Sequence, residues 1–252
     1  MPLNINLPQL ILAESFTGLV WKVMLHGSGL LAVETRNKDP KQVLFSAFNY
    51  ISGETYFKEQ VFEESWNLSL AFAGEQNLIL IGYENSDTPQ SKGILSVNIE
   101  NGKTFWQKFN ISLNQAQDKA LHVYDSRHQP KKYYWIDHLT GEVVADPSPA
   151  EDCTNVIFPE TDNTFEIPSF IKHGSLAGEL SVLNFSDKVF LSFHETDLGY
   201  FKQRLVVYQH DKILIDEILI SGIQKLQPEA FFIQKNHLFY IRGKEEIVTY
   251  LV

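Results

Sequence analysis

Cysteine is almost missing from this chain of 252 residues, because Cys153 is the only one. A single cysteine excludes an intramolecular disulfide, so the sequence predicts a protein of a reducing compartment, the cytoplasm. Long apolar runs are missing too, since no window approaches the roughly 18 residues that a membrane span needs. The first eight residues lack a basic region followed by an apolar stretch. We therefore expect neither a signal peptide nor a membrane partner.

Positive charge is also scarce. Lys and Arg number 21 against 31 Asp and Glu, which gives a formal net charge of −10. The most prominent basic cluster is only the pair Lys131 and Lys132. Because such a chain repels the phosphate backbone, we expect no nucleic-acid partner.

Motifs of catalysis are missing as well. The chain contains no G-x-S-x-G elbow, H-E-x-x-H, P-loop or G-x-G-x-x-G. The densest group of metal-ligand types is His122, Asp125, His128, Asp137 and His138. A strand about 20 Å long would separate His128 from the last two, so we expect no metal there and solvent-facing histidines. The sequence predicts no catalytic, cofactor-binding or metal-binding residue, and no cofactor.

The segment 194–197, His-Glu-Thr-Asp, places three ionisable groups within four residues. Adjacent strand residues point to opposite faces, so at most two of the three can converge. We expect these residues to end a strand and begin a solvated loop.

What the chain does contain is a repeated turn motif. An apolar run, Asn or Asp, a short spacer, a small polar residue and Gly recur in residues 44–57, 94–106 and 133–144. Gly53, Gly102 and Gly141 are predicted to take positive φ, which costs glycine no energy. Four residues earlier, Asn49, Asn98 and Asp137 are predicted to accept backbone hydrogen bonds that close the turn.

The motif resembles the A-L-D-x-x-T-G-x-x-x-W tail of quinoprotein-type (PQQ-like) β-propeller repeats. Trp106 stands at the tryptophan position and Phe57 replaces it in the first copy. The chain is also similar to bacterial families known only as domains of unknown function. The resemblance implies a propeller fold. Quinoprotein enzymes often carry adjacent cysteines, which one cysteine excludes, so we expect no bound quinone.

Short β-branched, aromatic and leucine-rich runs recur every eight to twelve residues and predict an all-β fold. The glycines of the motif are 49 and 39 residues apart, a period typical of four-stranded propeller blades. The predicted strands of the first three blades are 19–25, 30–36, 42–50, 55–62, 66–73, 78–83, 93–100, 104–109, 112–116, 120–126, 131–138 and 142–145. Those of the last two are 180–185, 188–194, 203–209, 213–220, 230–234, 237–242 and 246–252.

The sequence thus predicts a single β-propeller-like domain over residues 1–252, with about five four-stranded blades. Residues 7–15 are predicted to complete the last blade beside the C-terminal strands, which removes exposed sheet edges. An irregular insertion spans about 147–178, where 155–159 and 164–171 would form a hairpin or irregular strand pair. A sixth blade is the alternative if residues 150–178 form their own sheet.

Aromatic residues provide the remaining signal. Trp21, Trp66, Trp106, Trp135 and Phe57 occupy similar places in the predicted blades and are expected to pack between sheets. Tyr133 and Tyr134 are the expected surface members, one of which must face away from the core. In the insertion, the apolar run Phe158, Phe165, Ile167, Phe170 and Ile171 is expected to cover a sheet edge or channel mouth.

These observations favour a non-enzymatic interaction, scaffold or ligand-sensing protein, whose partner is a protein or a small molecule. The alternative is an enzyme that acts on a sugar or another small polar substrate in a central channel. A ligand site under the insertion is a further alternative. The oligomeric state stays open.

Overall fold

The computed structural model describes residues 7–63, 65–84, 91–117, 119–147, 155–228 and 230–252. These residues form 22 β-strands and one 3-10 turn, Ser65–Asn67, and no α-helix. No helix in these ranges is long and apolar enough to cross a membrane. The chain divides into two compact units, which we call the repeat unit (Phe16–Thr154) and the terminal unit (Met1–Ser15 with Asn155–Val252). The prediction of an all-β protein is confirmed.

The repeat unit contains three antiparallel sheets of four strands, each in chain order. Sheet 1 consists of β2 (Leu19–Leu25), β3 (Leu30–Asn37), β4 (Gln42–Asn49) and β5 (Thr55–Gln60). Sheet 2 consists of β6 (Leu68–Ala73), β7 (Asn77–Tyr83), β8 (Ser91–Asn98) and β9 (Thr104–Lys108). Sheet 3 consists of β10 (Ile111–Ala116), β11 (Ala120–Asp125), β12 (Tyr133–Asp137) and β13 (Val143–Val144). The three predicted blades therefore exist as sheets with nearly the predicted strands.

Sheet 2 is buried on both faces. Leu78 and Leu80 of β7 enter a core shared with sheet 1, whereas the intervening Ile79 enters a core shared with sheet 3. This follows from the two-residue period of a strand, which sends neighbouring side chains to opposite faces. Each fully buried Leu or Ile stabilises the fold by about 1.5–3 kcal/mol relative to exposure, so these layers supply most of the stability of the unit.

The carboxylate of Glu34 in sheet 1 forms hydrogen bonds to sheet 2. Glu34 of β3 is fully buried, and its Oε2 accepts hydrogen bonds from Ser69 Oγ at 2.9 Å and from the Leu70 amide at 2.7 Å. Its Oε1 accepts from Arg36 Nε at 2.8 Å. The carboxylate thus has the paired charge and hydrogen bonds that a buried ion requires.

The three motif turns have the predicted chemistry. Gly53, Gly102 and Gly141 have φ values of 78°, 67° and 71°. Asp137 Oδ1 accepts from the amides of Leu139 at 2.9 Å and Thr140 at 2.7 Å, and the Gly141 amide donates to the Asp137 carbonyl at 2.8 Å. Asn49 makes the equivalent three bonds, and Asn98 makes the bond from its glycine and one of the two side-chain bonds. The prediction that the motif is turn chemistry is confirmed.

The terminal unit contains two five-stranded antiparallel sheets. Sheet 4 runs in the order β15 (Glu160–Thr161), β16 (Leu176–Phe185), β17 (Lys188–Asp197), β18 (Tyr200–Gln209) and β19 (Lys212–Ile223). Sheet 5 runs in the order β1 (Gln9–Ser15), β22 (Glu246–Leu251), β21 (His237–Arg242), β20 (Phe231–Gln234) and β14 (Val156–Ile157). Because β1 pairs with β22, the predicted joining of the two chain ends in one sheet is confirmed.

The insertion behaves differently from the prediction. Its strands β14 and β15 are two residues long and join sheets 5 and 4 separately, so they form neither a hairpin with each other nor a sheet of their own. The alternative of a sixth sheet is therefore wrong, and these two sheets have five strands rather than four. Residues 148–154 lie outside the described ranges. The single domain and the ring of blades stay predictions.

Residues 164–174 of the insertion, which we call the flap, contain no strand and cover one face of sheet 4. Ile171 is 2% exposed, and Phe165, Ile167 and Phe170 pack against Leu191 and its neighbours. The sequence predicts that this run covers a sheet edge or a channel mouth, whereas these four residues cover a sheet face. Phe158 departs from it, with 65% of its surface exposed.

Candidate functional site

The histidine-rich group of sheet 3 does not form a site. Asp125 pairs with Arg127 at 2.6 Å and lies 3.7 Å from His128 Nε2, whereas His138 lies beyond the far end of β12. Within the described residues, no three His, Cys, Asp or Glu side chains are placed to hold a metal ion. The hydrogen bonds and charge of Arg127 hold the pKa of Asp125 well below its usual range, so Asp125 stays ionised in this pair.

His138 corrects the expectation of solvent-facing histidines, because it is only 5% exposed. Its Nδ1 lies 2.6 Å from Asn77 Oδ1, and its carbonyl accepts from Asn77 Nδ2, Ser96 Oγ and Trp106 Nε1 at 2.8, 3.0 and 3.1 Å. These bonds join the last turn of sheet 3 to sheet 2. The residue is structural, and the sequence signal was its place directly after the turn residue Asp137.

Some of the tryptophans pack against a core, and others lie at the surface. Trp66 and Phe57 pack against the core of sheets 1 and 2, and Trp106 packs against that of sheets 2 and 3, as predicted. Trp21 does not, since it is 62% exposed with the Arg36 guanidinium 4.7 Å above its ring.

Trp135 belongs to what we call the aromatic strip, formed by His122, Tyr124, Tyr133 and Trp135 on one face of sheet 3. The His122 ring lies 4.6 Å from Trp135 and 5.2 Å from Tyr133, and the register pairs these side chains across β11 and β12. Tyr133 is 48% exposed, whereas Tyr134 packs into the core, as the alternation of a strand requires. The His122 and Trp135 rings stack, whereas the other two ring pairs of the strip meet at tilted angles.

The segment 194–197 forms part of β17, which continues to Asp197. His194 and Glu195 are 6% and 2% exposed, so the predicted solvated loop is wrong for these two residues. Glu195 pairs with Lys202 at 2.7 Å and with Arg204 at 3.1 Å. Arg204 also makes two 2.6 Å bonds to Asp216. We call these four charged residues the Glu195 network.

Hydrogen bonds determine how this network is ionised. Burial by itself would raise the pKa of Glu195, but the hydrogen bonds and charges of Lys202 and Arg204 outweigh it and lower that pKa. Burial lowers the pKa of His194, whose Nε2 accepts from the Gln227 amide at 3.1 Å. Arg204 Nη1 also donates to the carbonyl of Lys172 in the flap at 2.7 Å. The network therefore fastens the flap to sheet 4.

A shallow, open cleft in the repeat unit is a ligand-sized space among the described residues. It has a volume of about 560 Å³, within the roughly 300–1,000 Å³ typical of ligand sites. We call it the Trp66 cleft. Its lining residues are Lys41, Gln42, Val61, Phe62, Ser65, Trp66, Asn67 and Glu84.

Local structure places these side chains together. Gln42 begins β4, and Ser65, Trp66 and Asn67 form the 3-10 turn that leads into β6. Ser65 Oγ accepts from the Val43 amide at 3.4 Å, which joins the turn to sheet 1. Sequence reasoning missed this site because its residues come from separate elements. The only available signal was the grouping of Trp66 with polar neighbours.

The comparison with protein families concerns this part of the chain. Residues 25–106 match the family described as Domain of unknown function (DUF4905). All eight residues that line the Trp66 cleft fall within that match. The predicted similarity to a domain-of-unknown-function family is thus confirmed over those residues, whereas the quinoprotein resemblance and the bacterial origin stay predictions.

No curated protein matches the chain. Among solved structures, the chain is similar to one described as "Crystal structure of the eukaryotic initiation factor", with 9% identity and a TM-score of 0.21. The match covers 92% of this chain and 77% of that chain. A TM-score this low establishes neither a common fold nor a common function.

Proposed function

We propose that the protein is a non-enzymatic binding module that holds a small polar ligand in the Trp66 cleft. The observation that carries this proposal is the composition of the cleft, which combines an indole and a phenyl ring with amide, hydroxyl and charged side chains. Ligand sites commonly pair apolar walls with a few polar groups that orient the ligand. The five sheets would form a PQQ-like propeller ring in a cytoplasmic bacterial protein, and that ring would act as the rigid support.

Binding is favoured over catalysis by where the perturbed groups lie. Displaced pKa values are often a sign of catalytic function. Here Glu195, Arg204 and Arg242 each make two or more charge-assisted bonds that shift their pKa values, whereas burial shifts those of His194 and Tyr240. None of these five residues lines the Trp66 cleft. The rival proposal, an enzyme that acts on a sugar or another small polar substrate in a central channel, requires at least two carboxylates or histidines with perturbed pKa values to line that channel.

A thermal-shift screen of neutral and charged metabolites tests the proposal. We expect one class of compound to raise the melting temperature, because a ligand that binds only the folded state stabilises it by mass action. Trp66→Ala should abolish the shift, whereas Trp21→Ala, which changes an exposed tryptophan of the same unit, should preserve it.

Two results would contradict the proposal. A shift that Trp66→Ala leaves intact would remove the Trp66 cleft as the site. If chromatography over several hours shows that the protein converts the stabilising compound to a product, the enzymatic rival is established instead.

A further inference from the structure

We propose that the ligand of the Trp66 cleft is a neutral saccharide. This inference rests on the proposed function and gives its chemical class. A sugar ring carries apolar C–H faces and a rim of hydroxyl groups that both donate and accept hydrogen bonds. It therefore needs an aromatic surface beside groups of both hydrogen-bonding kinds.

The aromatic surface is supplied by Trp66. Its indole is half buried against the core of sheets 1 and 2, which fixes its position, and Trp66 is among the residues that line the cleft. The Lys41 ammonium lies 5.9 Å from the ring centroid, close to the roughly 6 Å limit of a cation–π contact. Lys41 is exposed, so a sugar ring can take the place of its ammonium group over the indole.

The hydrogen-bonding groups are supplied by Gln42, Asn67 and Ser65. A carboxamide offers an acceptor oxygen and two N–H donors, which suits neighbouring hydroxyl groups. Within the described residues, the side-chain amides of Gln42 and Asn67 make no hydrogen bond to protein. Ser65 Oγ accepts from the Val43 amide and retains its own proton as a donor.

Charge favours a neutral ligand over an anionic one. The charged side chains among the lining residues are Lys41 and Glu84, one of each sign. Glu84 pairs with Lys92 at 3.2 Å. The formal charge of −10 on the whole chain further disfavours phosphorylated or polyanionic ligands.

Isothermal titration calorimetry with named probes tests this assignment. The neutral probes are cellohexaose, maltohexaose, xylohexaose and mannohexaose, and the charged comparators are hexagalacturonate, AMP and citrate. We expect at least one neutral hexaose to bind and no comparator to compete. Trp66→Ala should weaken binding by about tenfold or more, since loss of an aromatic contact removes upwards of about 1.4 kcal/mol.

Three further variants make the result specific. Trp66→Phe should recover part of the affinity because it keeps an aromatic face, and Gln42→Ala should weaken binding while altering a residue outside the buried core. Trp21→Ala should bind within about twofold of the wild type. Circular dichroism of each variant shows whether the fold is retained.

Each contrary outcome has a distinct meaning. If only a charged comparator binds and Trp66→Ala abolishes it, the saccharide assignment is wrong and the binding function stands. If no hexaose binds, the saccharide assignment is again wrong, and the metabolite screen decides the binding function separately. If a hexaose binds equally well to Trp66→Ala and Gln42→Ala, the saccharide site lies elsewhere and the inference fails.

Discussion

Replacing Glu195 with glutamine tests whether the Glu195 network stabilises the terminal unit. The change keeps the size of a side chain that is 2% exposed and removes its charge. The oxygen of the glutamine side chain can still accept a hydrogen bond from one of the two cations. Its NH2 group then faces the other cation, and both of these groups are donors. Arg204 keeps its two bonds to Asp216, while Lys202, whose side chain is 29% exposed, can turn towards water.

The expected cost follows from these contacts. A hydrogen bond to a charged group contributes about 1.5–3 kcal/mol, and breaking a buried ion pair completely costs about 3–5 kcal/mol. Because both cations retain partners or water, we expect Glu195→Gln to lower the free energy of unfolding by about 2–3 kcal/mol at pH 7.

The cost should also depend on pH. The pKa of Glu195 is lowered on folding from its ordinary value of 4.5. Its stabilisation is therefore fully present above pH 4.5 and is lost as the pH falls through the folded-state pKa. The difference between wild type and Glu195→Gln should shrink in that acidic range. The lowered pKa of His194 also makes the stability depend on pH. The comparison therefore uses the difference in unfolding free energy between wild type and Glu195→Gln at each pH.

Urea unfolding followed by far-ultraviolet circular dichroism measures this difference. Fluorescence does not serve, because all four tryptophans lie in the repeat unit. Glu160→Gln, at an exposed carboxylate on β15, is the matched control and should change stability by less than about 0.5 kcal/mol. A cost for Glu195→Gln below 1 kcal/mol, or one that persists unchanged in acid, would refute the reasoning.

Three further changes test packing and turns by the same unfolding experiment. Gly141→Ala should cost about 2 kcal/mol or more, because its φ is 71° and its Cβ would lie 2.9 Å from the Trp106 ring; Gly243→Ala, with open space around it, should cost only about 1 kcal/mol. Equal costs would contradict the packing argument. Trp106→Phe should cost about 1 kcal/mol through loss of the bond to the His138 carbonyl, and no loss would show that the bond is dispensable. Ile171→Ala should cost about 2–4 kcal/mol if the flap is firmly packed, and a cost below 1 kcal/mol would show that it is not.

Local patterns in the sequence predict most of the strands. The predicted strands 19–25 and 237–242 have the observed bounds, because turn residues and alternating apolar residues mark both ends. The pairing of β1 with β22 was also predictable, since it depends on a count of strands that need a partner.

The prediction was wrong where the turn between β17 and β18 is shorter than its residue types suggest. Strands β17 and β18 extend to Asp197 and Tyr200, leaving Leu198 and Gly199 at positive φ in a two-residue turn. Leucine is unusual in that conformation, so the segment was predicted as a longer loop. The error placed Glu195 in solvent and concealed its partners on β18.

The Trp66 cleft could not be predicted from local patterns. Its residues lie just before and at the start of β4, on the segment after β5, on the 3-10 turn and after β7. Only the packing of sheet 1 against sheet 2 brings them together, and the spacing of residues along one strand carries no information about that contact. The exposure of Trp21 was missed for the same reason.

The pairing of β1 with β22 has a consequence during synthesis on the ribosome. Gln9 is translated 242 residues before its partner Leu251. Sheets 1, 2 and 3 each join neighbours in the chain, so each can assemble as soon as it leaves the exit tunnel. Strand β1 must wait, with its edge open to other chains, until β22 has been translated.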